Sequence, residues 1–213
     1  HTGIRSYVKP VAEWPLEGYI GFMNGWDVAR DNNRAKTMES QIVILPFDNL
    51  SLAAGSLIGA ERTDTNKNLR SLIDFVFTYQ PIEKLTLKAN YNYGWEENAA
   101  SALTGYAEGK DAAWDGIAVY GRYQLRDWWA LACRGEYFHD RNGIRTGYVM
   151  GLTPYLPDVD LWEFTFTSEF NIWKDFITRL EYRYDQSNGD VFLEDKIMTD
   201  HQSTVSLEVI YRF

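Results

Sequence analysis

The decapeptide FITRLEYRYD, Phe176 to Asp185, decides the fold. Arg179, Glu181, Arg183 and Asp185 share one parity; Thr178, Leu180, Tyr182 and Tyr184 share the other. Wound as a helix, this stretch scatters charge around the whole cylinder. Extended as a strand, it makes one charged face and one apolar face. The chain ends on a second such stretch, VSLEVIYRF. There Val205, Leu207, Val209, Tyr211 and Phe213 oppose Ser206, Glu208 and Arg212.

The same alternation continues upstream. Trp162, Phe164, Phe166 and Phe170 oppose Glu163, Thr165, Thr167, Glu169 and Asn171. Leu131, Cys133 and Tyr137 oppose Arg134 and Glu136, and Ile117, Val119 and Tyr123 oppose Tyr120 and Arg122. Two further strands are read over 70–80 and 86–95. The first half is less clean: Tyr19–Trp26 and Gln41–Phe47 are apolar on both parities. Short turns near Phe47–Leu50, Gln80–Lys84, Arg126–Trp128 and Trp173–Asp175 alternate with long polar loops, the last being Ser187–Asp200. Strict alternation of short and long connections is the pattern of an up-and-down barrel. The reading is all-β: a transmembrane antiparallel up-and-down β-barrel of about eleven strands of roughly ten residues, each long enough to cross a bilayer when tilted.

Composition agrees. Aromatics are 15% of the chain and mean hydropathy is -0.38, with no apolar run long enough for a membrane helix. A barrel spreads its apolar residues one in two, which hydropathy windows miss. Aromatics gather near strand ends on the apolar parity, at Trp95, Trp162, Trp173, Tyr184 and Tyr211, as a girdle at the membrane interface does. A soluble sandwich also alternates, but its exterior would favour Lys where these strands carry Arg. The net charge of -9 excludes the basic stripe of a nucleic-acid partner. Cys133 is the single cysteine, so no intrachain disulfide forms. His1, His139 and His201 lack metal-ligand spacing, and no G-x-S-x-G elbow occurs. The Asx-rich loop Asp27–Asn33 lacks the central Gly and distal Glu of a calcium loop. Neither cofactor, metal nor catalytic residue is expected, and the chain is not read as an enzyme.

Three stretches carry a resemblance: FMNGWDVARDNNRAKT (Phe22–Thr37), WDGIAVYGRYQLRDWWALACRGEYFHDRNGIRTG (Trp114–Gly147) and TRLEYRYDQSNGDVF (Thr178–Phe192), with the terminal IYRF. Together they resemble the OmpL-like β-barrel porins of Gram-negative bacteria, over nearly the whole chain. The resemblance implies an outer-membrane, channel-like barrel and brings no catalytic residues. It also likens the terminal aromatic-Arg-Phe to the signal that such barrels present to their assembly machinery.

These readings give specific expectations. Residues 1–213 form a single outer-membrane β-barrel domain, whose last strand closes the cylinder on the first. The odd strand count leads us to expect that one or more N-terminal strands are missing or miscounted, as part of a larger even-stranded barrel, because bacterial single-chain barrels are even. The pore lining is Arg122, Arg134, Glu136, Glu169, Arg179, Glu181, Arg183, Glu208 and Arg212, joined as pairs between adjacent strands. The lipid-facing set is Phe164, Phe166, Leu180, Tyr182, Val205, Leu207, Val209, Tyr211 and Phe213. The expected function is passive diffusion of small hydrophilic solutes through a water-filled porin, with outer-membrane lipid around it. Mixed charge in the lumen predicts weak ion selectivity, biased by the acidic loops toward cations. The alternative is a scaffold barrel that holds a partner protein in its lumen or on its extracellular loops; a homo-oligomer or a partner protein is the expected assembly.

Overall fold

A computed structural model describes residues 2–9, 15–26, 28, 30–99, 110–146 and 158–212. Its strands are β1 (Gly3–Val8), β2 (Leu16–Met23), β3 (Thr37–Phe47), β4 (Leu50–Ala60), β5 (Leu69–Ile82), β6 (Leu85–Glu96), β7 (Ala112–Arg126), β8 (Trp129–Asp140), β9 (Val159–Trp173) and β10 (Phe176–Ser187), then β11 (Phe192–Glu194), β12 (Ile197–Thr199) and β13 (His201–Tyr211). Eleven of them form one sheet in chain order, β1 to β10 followed by β13, every neighbour antiparallel. This is the up-and-down meander read from the sequence. The expected loop Ser187–Asp200 departs from that reading: it holds the hairpin β11–β12, turning at Asp195 and Lys196 with φ of 47° and 72°. Paired positive φ values are the geometry of a tight hairpin turn.

The register shifts fall at the short-turn rim, between Ile44 and Phe47, Tyr79 and Ile82, Gln124 and Arg126, and Phe176 and Ile177. Pro46 and Pro81 lie within two of them. Proline cannot donate to a ladder, so a bulge is where a strand tolerates it.

A flat single-layer sheet would expose both faces alike. Here the charged parity is withdrawn: Trp114, Asp140 and Val159 are buried, whereas Phe164, Phe166 and Leu180 on the apolar parity are exposed. The sheet therefore curls toward its charged face. On that face Trp26, beyond β2, meets Trp114 of β7 with ring centroids 6.2 Å apart. Closure of the last strand on the first is not seen among the described residues: β13 pairs with β10 alone. In an alternating meander of eleven strands the first and last run in the same direction, so closure between these two would need a parallel pair.

Candidate functional site

The register brings the expected lining residues onto one face and stacks them in transverse rows. One row reads Lys88, Tyr120, Arg134, Thr165, Arg183 and Thr204 across β6 to β13. The row toward the long loops contains Glu136, Glu163 and Asp185. Toward the short turns lie Arg122 with Glu181, and then Glu169, Arg179 and Glu208. A basic row thus adjoins an acidic one, and the two rows toward the short turns carry both signs.

Ion pairs join the rows. Glu169 accepts from Arg122 Nη2 at 2.7 Å and from Arg179 Nε at 2.8 Å, and Arg179 Nη1 donates to Glu208 at 2.9 Å. Arg134 Nε donates to Glu163 at 2.5 Å and lies 3.7 Å from Glu136. Arg183 forks onto Asp185 of its own strand at 2.7 and 2.9 Å. Glu181 accepts from the Thr167 hydroxyl at 2.8 Å, and Arg212 has no charged partner among the described residues. The expectation of adjacent-strand pairing needs correction for Arg122, which reaches past β8 to β9. The β8 residues beneath it are Ala130 and Ala132, too small to block it. Arg5 does the same across Gly21, reaching Glu39 with bonds of 2.7 and 2.8 Å. A Cβ on Gly21 would stand 2.5 Å from the Glu39 carboxylate.

In the pairs made by Glu163, Glu169 and Asp185 the carboxylate is the buried member, whereas Glu136 and Glu208 are more exposed than the arginines they meet. Side-chain exposure is 5% for Glu163 against 30% for Arg134, and 6% for Asp185 against 43% for Arg183. Glu39 and Glu96 sit in the same way behind Arg5 and behind Arg62 and Arg70. The short carboxylates lie against the sheet, and the longer guanidinium groups cover them and face outward.

At the long-loop rim the structure adds residues that alternation could not find. Asp140 is fully buried, and its carboxylate accepts from the backbone N–H of Ile144, Arg145 and Thr146 at 3.2, 2.6 and 2.8 Å, and from the Thr146 hydroxyl at 3.0 Å. Gly143, with φ of 64°, supplies the left-handed residue of this turn. The stretch DRNGIRT is thereby a carboxylate-capped loop. Its Arg145 lies over the rings of Trp26 and Trp114, 5.3 and 5.2 Å from their centroids. Trp114 in turn lies across Gly94, where a Cβ would meet its ring at 2.2 Å. Trp26, Trp114 and Arg145 narrow the charged side of the sheet at this end. Nearby, Glu61 accepts from Trp26 N–H at 2.7 Å and from the Thr37 hydroxyl.

On the opposite face Phe164, Phe166, Leu180, Tyr182, Val205, Leu207, Val209 and Tyr211 are all exposed; Phe213 lies outside the described residues. Cys133 is exposed on this face too. Rings cluster at both strand ends: Tyr93 with Trp95 and Tyr137 with Trp162 at one, Trp128, Trp129 and Phe170 at the other. From Trp162 to Phe170 β9 rises roughly 26 Å, or roughly 20 Å along the axis at a usual barrel tilt, close to the ~25 Å apolar band of outer-membrane barrels.

The remaining ionisable groups serve the loops. His139 pairs with Asp158 at 2.7 Å and His201 with Asp200 at 2.7 Å. That bond from His201 holds the Asp200 carboxyl below the usual carboxylate range. The bond from Lys36, and then the backbone N–H of Asn33, do the same for Asp31. Among the described residues no cluster of three metal-ligating side chains forms. Asp27 and Ala29 of the Asx-rich loop lie outside the described residues.

The NanC porin, in a rhombohedral crystal form, superposes with a TM-score of 0.56 at 12% identity, over 99% of this chain and 97% of its own. Two structures of OmpT, an outer membrane protein of Vibrio cholerae, superpose with TM-scores of 0.66 and 0.60 at 15% identity, over 98% and 97% of this chain. The chain spans 64% and 61% of those OmpT chains, less than two thirds of their length. At such identities the likeness shows the fold. No curated protein matches the sequence significantly. The profile of the family described as "Putative beta-barrel porin-2, OmpL-like" matches residues 1–213. The chain belongs to that family and is a porin-like β-barrel protein of the bacterial outer membrane.

Proposed function

We propose that the protein is a passive porin, a water-filled channel through which small hydrophilic solutes diffuse, with its charged face as the lumen wall. The observation that carries this reading is the segregation of the two faces. Phenylalanine, leucine and valine cover one, while the other holds Arg–Glu pairs bonded from strand to strand and the Arg183–Asp185 pair within β10. Charged side chains on the lipid side would cost ~2–4 kcal/mol each at mid-bilayer, whereas in a wet lumen they replace water's hydrogen bonds. About eight strands give an interior that side chains fill. A barrel closed around eleven or more strands is wider, with room left for water. Pairing fixes the side chains, so the wall keeps its shape as solutes pass, and no energy source is required.

The test is conductance of the purified protein in a planar lipid bilayer. Stable open steps that scale with salt concentration are expected. A folded protein that inserts and never conducts would overturn the proposal.

A further inference from the structure

We propose that the lumen wall carries a subsite for a small hydroxylated organic anion, centred on the row Lys88–Tyr120–Arg134–Thr165–Arg183. The inference rests on the porin reading above, since it assumes that this face is wet. Three observations support it. First, a cavity of about 520 Å³ opens on this row, and Lys88, Arg122, Arg134 and Arg183 line it against one lining carboxylate, Glu181. Secondly, the register sets the cations of the row on alternate strands, roughly 10 Å apart, with the hydroxyls of Tyr120 and Thr165 on the strands between. Thirdly, the arginine pairs are oriented. Asp185 and Glu163 are buried behind Arg183 and Arg134, so each pair turns its positive end to the cavity. A guanidinium has five N–H donors, and one or two go to the buried carboxylate. The others make no hydrogen bond to protein among the described residues, although Arg134 Nη2 also lies 3.7 Å from Glu136. Lys88 is exposed and makes no ion pair among the described residues, so it adds a whole positive charge to these dipoles.

A carboxylate or phosphate is the group that such a row receives, held by charge-assisted hydrogen bonds. The hydroxyls between the cations, with Glu181 and Thr167 in the next row, suit the hydroxyls of a polyol. Lumen selectivity then favours anions, opposite to the weak cation bias that the acidic loops suggest.

Lys88→Gln and Lys88→Glu test this, because Lys88 supports no other charged group and its loss leaves no buried carboxylate unpaired. With potassium chloride in a gradient across a bilayer, the reversal potential of the wild type should report chloride as the more permeant ion. Millimolar gluconate should block the chloride current. Charge reversal at ~10 Å in water, screened by 0.1 M salt, shifts the chloride-to-potassium permeability ratio about two-fold. Gluconate block should weaken in the same variants. Conductance with no anion preference, or with block unchanged by Lys88→Glu, would overturn the subsite and leave the porin standing. Titration of gluconate into the full chain folded in detergent reads the subsite without any current. Binding by the wild type that weakens in Lys88→Gln supports it, and no binding by the wild type overturns it.

Discussion

Replacing Asp140 by alanine should both destabilise the barrel and widen it. The Asp140 carboxylate is wholly buried and accepts four hydrogen bonds, three from successive backbone amides of the 144–146 turn. A hydrogen bond to a charged group contributes about 1.5–3 kcal/mol. The four are not additive, because one loop makes them all and its freed amides are hydrated once it lifts. A net loss of about 2–4 kcal/mol is expected for Asp140→Ala. Releasing the loop also removes Arg145 from the faces of Trp26 and Trp114, contacts of about 0.5–1 kcal/mol each. The narrowing at the long-loop rim is then lost. Urea unfolding in detergent, followed by tryptophan fluorescence, reads the first effect, and single-channel conductance reads the second. Asp140→Asn keeps one acceptor oxygen and should fall between wild type and alanine in both. An Asp140→Ala protein within about 0.5 kcal/mol of wild type, with the same conductance, would refute the reasoning.

Three further outcomes are expected. Leu180→Arg, on the apolar face, should cost about 2–4 kcal/mol in lipid vesicles, while Ser206→Arg on the charged face of the neighbouring strand should stay within about 0.5 kcal/mol; folding titrations of the two compare them directly. Arg5→Ala should destabilise more than Glu39→Gln, because the first strands a buried carboxylate and the second leaves a half-exposed guanidinium in water, again measured by urea unfolding. The folded-state pKa of Asp31 is lowered by its bond from Lys36, so the loop stability it supplies is complete above the unfolded carboxylate pKa and is lost as pH falls through the lowered value. A carboxyl-carbon NMR titration showing Asp31 in the ordinary range would contradict that.

Much of this architecture was legible in the sequence because a β-barrel writes it in period two. FITRLEYRYD and VSLEVIYRF give both faces at once, and their register in the structure places Arg179 opposite Glu208. What alternation cannot carry is which residues meet across strands. Arg122 reaches Glu169 because Ala130 and Ala132 lie between them, a fact of three strands rather than one. Asp140 reads as a rim carboxylate until the turn folds back on it, although the Asp-x-x-Gly spacing of DRNG was a usable signal for a capped turn. Trp114 looks like any inward aromatic until Gly94 makes room for it. Exposure is likewise invisible in the sequence: composition counts Arg and Glu as equal and opposite, while the fold buries Glu163 and Asp185 and presents Arg134 and Arg183.

The central claim is that the charged face meets water and the apolar face meets lipid. Thr167 and Phe166 are neighbours on β9 with opposite orientations, and each can be replaced by cysteine in a Cys133→Ser background. A membrane-impermeant charged methanethiosulfonate is then added to conducting channels. The account predicts that Thr167→Cys is modified and its current changes, while Phe166→Cys conducts unchanged. Modification of Phe166→Cys with Thr167→Cys silent would contradict it.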